Sequence, residues 1–308
     1  MSGVLKLGTR GSKLARWQAE WLRAALARHG VPAELVIIET RGDGEVDRPL
    51  YRLEGKGFFT KEIEDALLDG RIDVAVHSLK DLPTKLPDGL ALGAVPRRAD
   101  PAEALVTRVG GITSIAGLTA GATIGTSSLR RAAQLRYLRP DVEIVPLRGN
   151  VPTRLQKVKK GRDGLDAALV SCAGLDRLEL AGEIAVRLDP VEVMPAPGQG
   201  ALGLEVRADD GAARAALQPL EDGASARQVA AERSLLAALG GGCQAPVAAY
   251  VGAWRSGLGA RLFGRVTAID GSVQVTASAG IDERDPAAAG VAVAHLLQAQ
   301  GASRLLGP

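Results

Sequence analysis

The sequence predicts an α/β protein: two similar α/β units facing each other across a cleft, followed by a smaller α+β unit. Three observations carry this. Strand-patterned segments alternate with amphipathic helical ones through the first two-thirds of the chain. A strand-to-helix turn at Gly8-Thr9-Arg10-Gly11-Ser12 has a counterpart at Gly125-Thr126-Ser127-Ser128-Leu129-Arg130-Arg131. Segments 95–101 and 190–200, both proline-bearing, read as paired crossings, the arrangement of a hinged binding cleft.

In order, residues 4–8 form a strand, and a helix from Ser12 places Leu14, Trp17, Trp21, Leu22 and Ala25 on one face. Residues 34–39 read as a buried parallel strand because 35–38 are continuously apolar. Residues 40–57 have no period and read as a long functional loop. A helix over 60–68 and a strand over 72–77 complete the first unit. The second repeats it: a helix over 129–138, a strand over 142–147, a helix from Thr153 and a strand over 166–171. Segment 190–200 reads as a return strand. The third unit opens with a helix whose Ser225 and Gln228 suggest a capping box and whose Val229, Leu235, Leu236 and Leu239 share a face. A strand at 247–251, two strands turning at Asp270-Gly271 and a helix over 290–300 follow. The expected domains are 1–98 with 196–218, 99–195, and 219–308.

At 308 residues and 46% hydrophobic, the chain can bury a large core, built mainly from Ala, Leu and Val because aromatics are only 3%. A net charge of +3, without a basic stripe or aromatic stacking motif, argues against nucleic acid. No apolar run is long enough to cross a membrane and no signal core precedes the first strand, so a cytoplasmic, membrane-free protein is expected. Neither Cys172 nor Cys243 has a His or Cys at metal-ligand spacing, and a disulfide is not expected; no metal is assigned. Cys172 follows an apolar strand and reads as a small core residue. Cys243 lies in Gly240-Gly241-Gly242-Cys243-Gln244-Ala245-Pro246, between helix and strand, where it is either an inert thiol or a reactive one.

Both strand-to-helix turns offer free N–H groups and the positive end of a helix dipole. Arg10, Arg130 and Arg131 sit there although cations are disfavoured at helix starts, so an anion is expected beside them. Arg148, Arg154 and Arg177 occupy comparable strand-end positions, and guanidinium groups pair carboxylates or phosphates bidentately. His77-Ser78-Leu79-Lys80-Asp81-Leu82-Pro83 follows a strand end. Asp81 is the carboxylate of an otherwise cationic ring, either stabilising a cationic intermediate or capping a turn, while His77 reads as structural. No Walker A sequence is present. Gly198-Gln199-Gly200-Ala201-Leu202-Gly203 matches G-x-G-x-x-G but leads into a strand, which removes its dinucleotide meaning.

These motifs, with Gly55-Lys56-Gly57-Phe58-Phe59, Leu147-Arg148-Gly149-Asn150-Val151 and Gly241-Gly242-Cys243-Gln244, give a chain that resembles the porphobilinogen deaminase (hydroxymethylbilane synthase) family along almost its whole length. The resemblance implies two periplasmic-binding-protein-like α/β domains plus a smaller α+β domain. It implies a monomeric transferase of tetrapyrrole (haem) biosynthesis that condenses porphobilinogen with loss of ammonia. By the same resemblance Cys243 carries a dipyrromethane cofactor through a thioether, and Asp81 is catalytic. Lys80, Asp81, Ser128, Arg130 and Arg131 would bind the cofactor; Arg10, Ser12, Arg148, Arg154 and Arg177 the substrate; Lys56 and Phe59 would belong to a lid.

Overall fold

The computed structural model describes residues 3–40, 60–242, 245–253 and 259–306. In the first part of the chain, β1 (Leu5–Thr9), α1 (Lys13–Arg28), β2 (Ala33–Ile37), α2 (Lys61–Leu68), β3 (Val74–Ser78) and β4 (Leu90–Ala94) follow in order. Next come β5 (Glu103–Thr107), β6 (Thr123–Gly125), α3 (Leu129–Leu138), β7 (Glu143–Val145), α4 (Val151–Lys159), β8 (Ala167–Ser171), α5 (Cys172–Arg177) and β9 (Val186–Arg187). After the return, β10 (Leu202–Arg207) and α6 (Gly211–Leu217) lead to α7 (Gly223–Ala238), β11 (Val247–Ala253), β12 (Ala260–Thr267), β13 (Gln274–Gly280) and α8 (Pro286–Ala299).

The repetition is exact at the level of topology. One sheet has the order β2-β1-β3-β10-β4 and the other β7-β6-β8-β5-β9. In each, the first three strands are parallel, and the fourth runs antiparallel to both its neighbours. That fourth strand is the one entered directly from a crossing: β5 after the outgoing segment, β10 after the return. The chain is therefore α/β, with two matching five-stranded sheets and a smaller unit in which α7 and α8 cover the antiparallel sheet β11-β12-β13.

Several local expectations change. Among the described residues β2 is an edge strand, paired only to β1, and with Ile37 40% exposed its apolar run is only half covered. The buried stripe of α1 is Ala15, Gln18, Ala19, Leu22, Ala25 and Leu26; Leu14 and Trp17 turn toward the cleft side instead. The return segment 190–200 is a series of turns, and the strand begins only at Leu202. Prolines 190, 195 and 197 lack the N–H a ladder requires. Two of the segment's N–H groups are met by side chains: Met194 N–H donates to Gln134 Oε1 (2.9 Å) and Gly198 N–H to Glu232 Oε2 (2.7 Å). The cap of α7 is Asp222, whose Oδ1 accepts from Ser225 N–H at 2.8 Å, while Ser225 Oγ accepts from Arg98 N–H at 2.9 Å. α4 begins at Val151, capped by Asn150, before Thr153.

The two crossings touch along their backbones. Ala99 N–H donates to Gly200 O at 3.1 Å, and a Cβ on Gly200 (φ 85°) would lie 2.5 Å from the Ala99 carbonyl oxygen. Only glycine fits there. Beside this contact Arg98 makes a bidentate pair with Glu232 (2.8 and 2.9 Å), both side chains buried, and its Nε donates to Gln199 O at 2.8 Å. Glu232 also accepts from Val251 N–H at 3.0 Å. One ion pair thus joins both crossings to the third unit. Arg98→Ala would leave a buried carboxylate uncompensated, and we expect a loss of about 3–5 kcal/mol in urea-melt stability. A loss below ~1 kcal/mol would show that the junction does not depend on this pair.

Candidate active site

A cleft of about 870 Å³ lies between the two α/β units and reaches the third. Arg10 and Ser12 enter it from the β1–α1 turn, and Lys80 and Asp81 from a single 3-10 turn (Leu79–Asp81) after β3. From the second unit come Ser128, Arg130 and Arg131 at the start of α3, Arg148 and Arg154 around the start of α4, and Arg177 at the end of α5. The wall thus gathers every predicted site residue in the described part of the chain. Cys243, Lys56 and Phe59 lie outside the described residues; Gly242 and Ala245, which flank residues 243–244, both line the cleft.

Local capping fixes these positions. Ser12 Oγ accepts from Ala15 N–H (3.3 Å), Ser128 Oγ from Arg131 N–H (3.4 Å) and Asn150 Oδ1 from Thr153 N–H (3.0 Å). Ser127 Oγ donates to Leu147 O at 2.9 Å, tying the two loops of the second unit together.

The cleft is cationic. Arg10, Lys80, Arg130, Arg131, Arg148, Arg154 and Arg177 line it, against the carboxylates Glu39 and Asp81. Burial, then the charge of Arg131, pushes the Lys80 ammonium down to about 8, although its Nζ donates to Gln199 Oε1 at 3.2 Å. Burial, then Arg131 and Arg148, lowers Arg154 to about 10, and burial alone lowers Arg177 to about 10. Arg177 also donates to Gly200 O (2.7 Å) and lies over the Trp17 ring, 5.8 Å from its centroid, joining α5 to α1. Several cations held below their ordinary values in one partly enclosed space favour a polyanionic occupant.

Arg130 and Arg131 have an anion that the sequence reading did not name: Glu103 on β5. Its Oε1 accepts from Arg130 (2.6 Å) and Arg131 Nε (3.0 Å), and its Oε2 from Arg131 Nη2 (2.6 Å). Burial would raise the Glu103 carboxyl, but the two guanidinium groups outweigh it and hold it down to about 2. The available signal was an acid inside the apolar run Ala102-Glu103-Ala104-Leu105-Val106, since an isolated charge is not tolerated in such a strand.

His77 is buried, with Nε2 2.9 Å from Glu205 Oε2, in keeping with a structural residue. Cys172 is fully buried, and burial pushes its thiol up to about 12, away from nucleophilic use. The G-x-G-x-x-G segment does lead into a strand, β10.

Fold and site together define a two-unit α/β scaffold with a cationic cleft between its paired units and a third unit abutting it. The family model described as porphobilinogen deaminase, dipyromethane cofactor binding domain, matches residues 5–215, and that for the porphobilinogen deaminase C-terminal domain matches 226–299. Porphobilinogen deaminase of Syntrophotalea carbinolica is 47% identical over 307 residues, covering 99% of this chain and 96% of that protein. That of Moorella thermoacetica is 47% identical over 305 residues (98% and 95%), and that of Roseiflexus sp. 47% over 308 (99% and 99%). Among solved structures, a periplasmic substrate-binding protein of an ABC transporter from Coxiella burnetii is similar with a TM-score of 0.44 at 16% identity, covering 75% of this chain and 97% of that one. The chain belongs to the porphobilinogen deaminase family.

Proposed function

We propose that the chain is a hydroxymethylbilane synthase, a transferase of tetrapyrrole biosynthesis that joins porphobilinogen units head to tail, releasing one ammonia per condensation, and then frees the product by hydrolysis. The observation that carries this is the crowding of Lys80, Arg154 and Arg177, each held below its ordinary pKa, in a cleft that also meets the ends of the cysteine-bearing segment. The substrate bears an acetate and a propionate, so a growing chain adds carboxylates to a wall in which cations outnumber carboxylates.

The residues fit a dipyrromethane group held by a thioether at Cys243, because Gly242 and Ala245 open onto the cationic wall. When bound, that group supplies the pyrrole carbon that primes chain growth. Lys80, Ser128, Arg130 and Arg131 hold its carboxylates. Arg10, Ser12, Arg148, Arg154 and Arg177 receive those of the substrate, with Lys56 and Phe59 in a covering loop. Asp81 is the catalytic residue. Its carboxylate accepts the substrate's pyrrole N–H and lowers the energy of the cation that develops as the bond to ammonia breaks. The chain works as a cytoplasmic monomer with the domains 1–98 plus 196–218, 99–195 and 219–308. Among the described residues no helix is long and apolar enough to cross a membrane.

The test is the intact mass of the denatured chain beside Cys243→Ser. An excess of two pyrrole units on the first and none on the second is expected. Bare sequence mass that does not rise after incubation with porphobilinogen would overturn the reading.

A pH effect follows from Lys80. Only its protonated form attracts a carboxylate, and binding stabilises that form. Affinity of the Cys243→Ser cleft for porphobilinogen should therefore weaken as pH rises through about 8, with proton uptake on binding. Calorimetry in buffers of different ionisation heat would read this, and Lys80→Met should abolish the step.

A further inference from the structure

Asp81 sits at the end of one 3-10 turn, with Leu82 N–H donating to Leu79 O at 3.2 Å. A single short turn is a poor holder for a group whose placement matters at the ångström level. The segment that follows contains Pro83 and joins no strand until β4. Among the described residues, the side-chain hydrogen bonds to its first carbonyls come from the third unit. Arg233 on α7 donates from Nη1 to Leu82 O (3.0 Å) and from Nη2 to Pro83 O (2.6 Å) and Thr84 O (3.4 Å). One turn earlier on the same helix face, Val229 is buried in an apolar cluster with Leu79 and Leu82, the residues that bracket Lys80-Asp81. The helix therefore holds the turn through apolar contact and through a guanidinium fork spread over consecutive carbonyls. A lysine could not span those carbonyls.

We propose that Arg233 is a positioning residue for the reaction: it fixes the backbone that aims the Asp81 carboxylate at the substrate. This rests on the catalytic reading of Asp81. α7 also leads, through Gly240 (φ 66°), into the segment that carries Cys243. One helix thus gives the catalytic turn and the attachment segment a common frame, while its Glu232 secures the crossings.

The experiment compares cofactor-loaded Arg233→Met, which keeps the aliphatic stem, Arg233→Lys, Asp81→Asn, and the double variant Asp81→Asn/Arg233→Met. Arg233→Met should retain the covalent mass excess and lose about 10–10²-fold in kcat, with KM for porphobilinogen little changed; Arg233→Lys should fall between it and the parent. The double variant should be no slower than Asp81→Asn alone, because a misplaced group that is already disabled costs nothing more. A merely structural arginine would instead slow the double variant by the product of the single losses, and that result overturns the proposal. So does parental kcat in Arg233→Met, or in Arg233→Lys should the methionine variant not fold. Full kcat in Asp81→Asn would mark the failure as belonging to the reading of Asp81.

Discussion

Asp81→Asn is expected to lower the rate of ammonia release by about 10²–10³-fold while leaving the fold and the covalent mass excess intact. The substitution is nearly isosteric and keeps an oxygen that can accept a pyrrole N–H. What disappears is the negative charge opposite the cation that develops as the C–N bond breaks, and that interaction strengthens toward the transition state. The loss should therefore fall on kcat more than on KM. A second consequence separates this from general damage. Asp81 is one of the groups holding up the pKa values of Lys80 and Arg154 in a cleft that otherwise lowers them. Without it, Lys80 should titrate below about 8, and the pH at which porphobilinogen affinity weakens should move down with it. Single-turnover ammonia release and the affinity profile across pH measure the two effects. Near-parental turnover with an unmoved profile would remove Asp81 from both roles.

What the sequence made legible was whatever is written along the chain. The matching turns at Gly8 and Gly125, the alternation of strand and helix, and arginines at strand ends are all local patterns, and the sheet orders reproduce the duplication they suggested. Contacts between residues far apart in sequence were not legible. Glu103 meets Arg131 across 28 positions, Arg98 meets Glu232 across 134, and Arg233 reaches Leu82 across 151. Each pairing is made by tertiary packing between segments far apart in the chain, so periodicity does not show which residue meets which. The same holds for β2, whose apolar run resembles that of a central strand but lies at an edge because β3 inserts on the other side of β1. At α7 the sequence pattern points to Ser225 as the cap, but Asp222, three residues earlier, serves instead. Its carboxylate accepts from Ser225 N–H, while the Ser225 hydroxyl accepts from the distant Arg98 N–H.

Glu103→Gln should be among the most destabilising conservative substitutions in the chain, by about 3–5 kcal/mol in denaturant melts. The parent carboxylate is fully buried and satisfies two guanidinium groups, so a neutral amide leaves both charges enclosed without a counter-ion. The pH dependence has a definite sign. The Glu103 pKa is depressed to about 2 from an ordinary 4.5, so its contribution is complete above about 4.5 and is lost as pH falls toward 2. Glu103→Gln should lack that part of the parent's acid sensitivity. The cleft supplies a further comparison, because Arg130 and Arg131 also line it. Carboxylates held there would partly replace the missing anion, so Glu103→Gln should be less destabilised when the chain carries its covalent group than in combination with Cys243→Ser. Equal destabilisation in both backgrounds would mean that the arginine pair serves Glu103 alone and takes no part in holding the pyrrole carboxylates. A smaller loss in the loaded protein would tie the buried ion triad to the cleft's function, with Glu103 holding Arg130 and Arg131 in place before any carboxylate arrives.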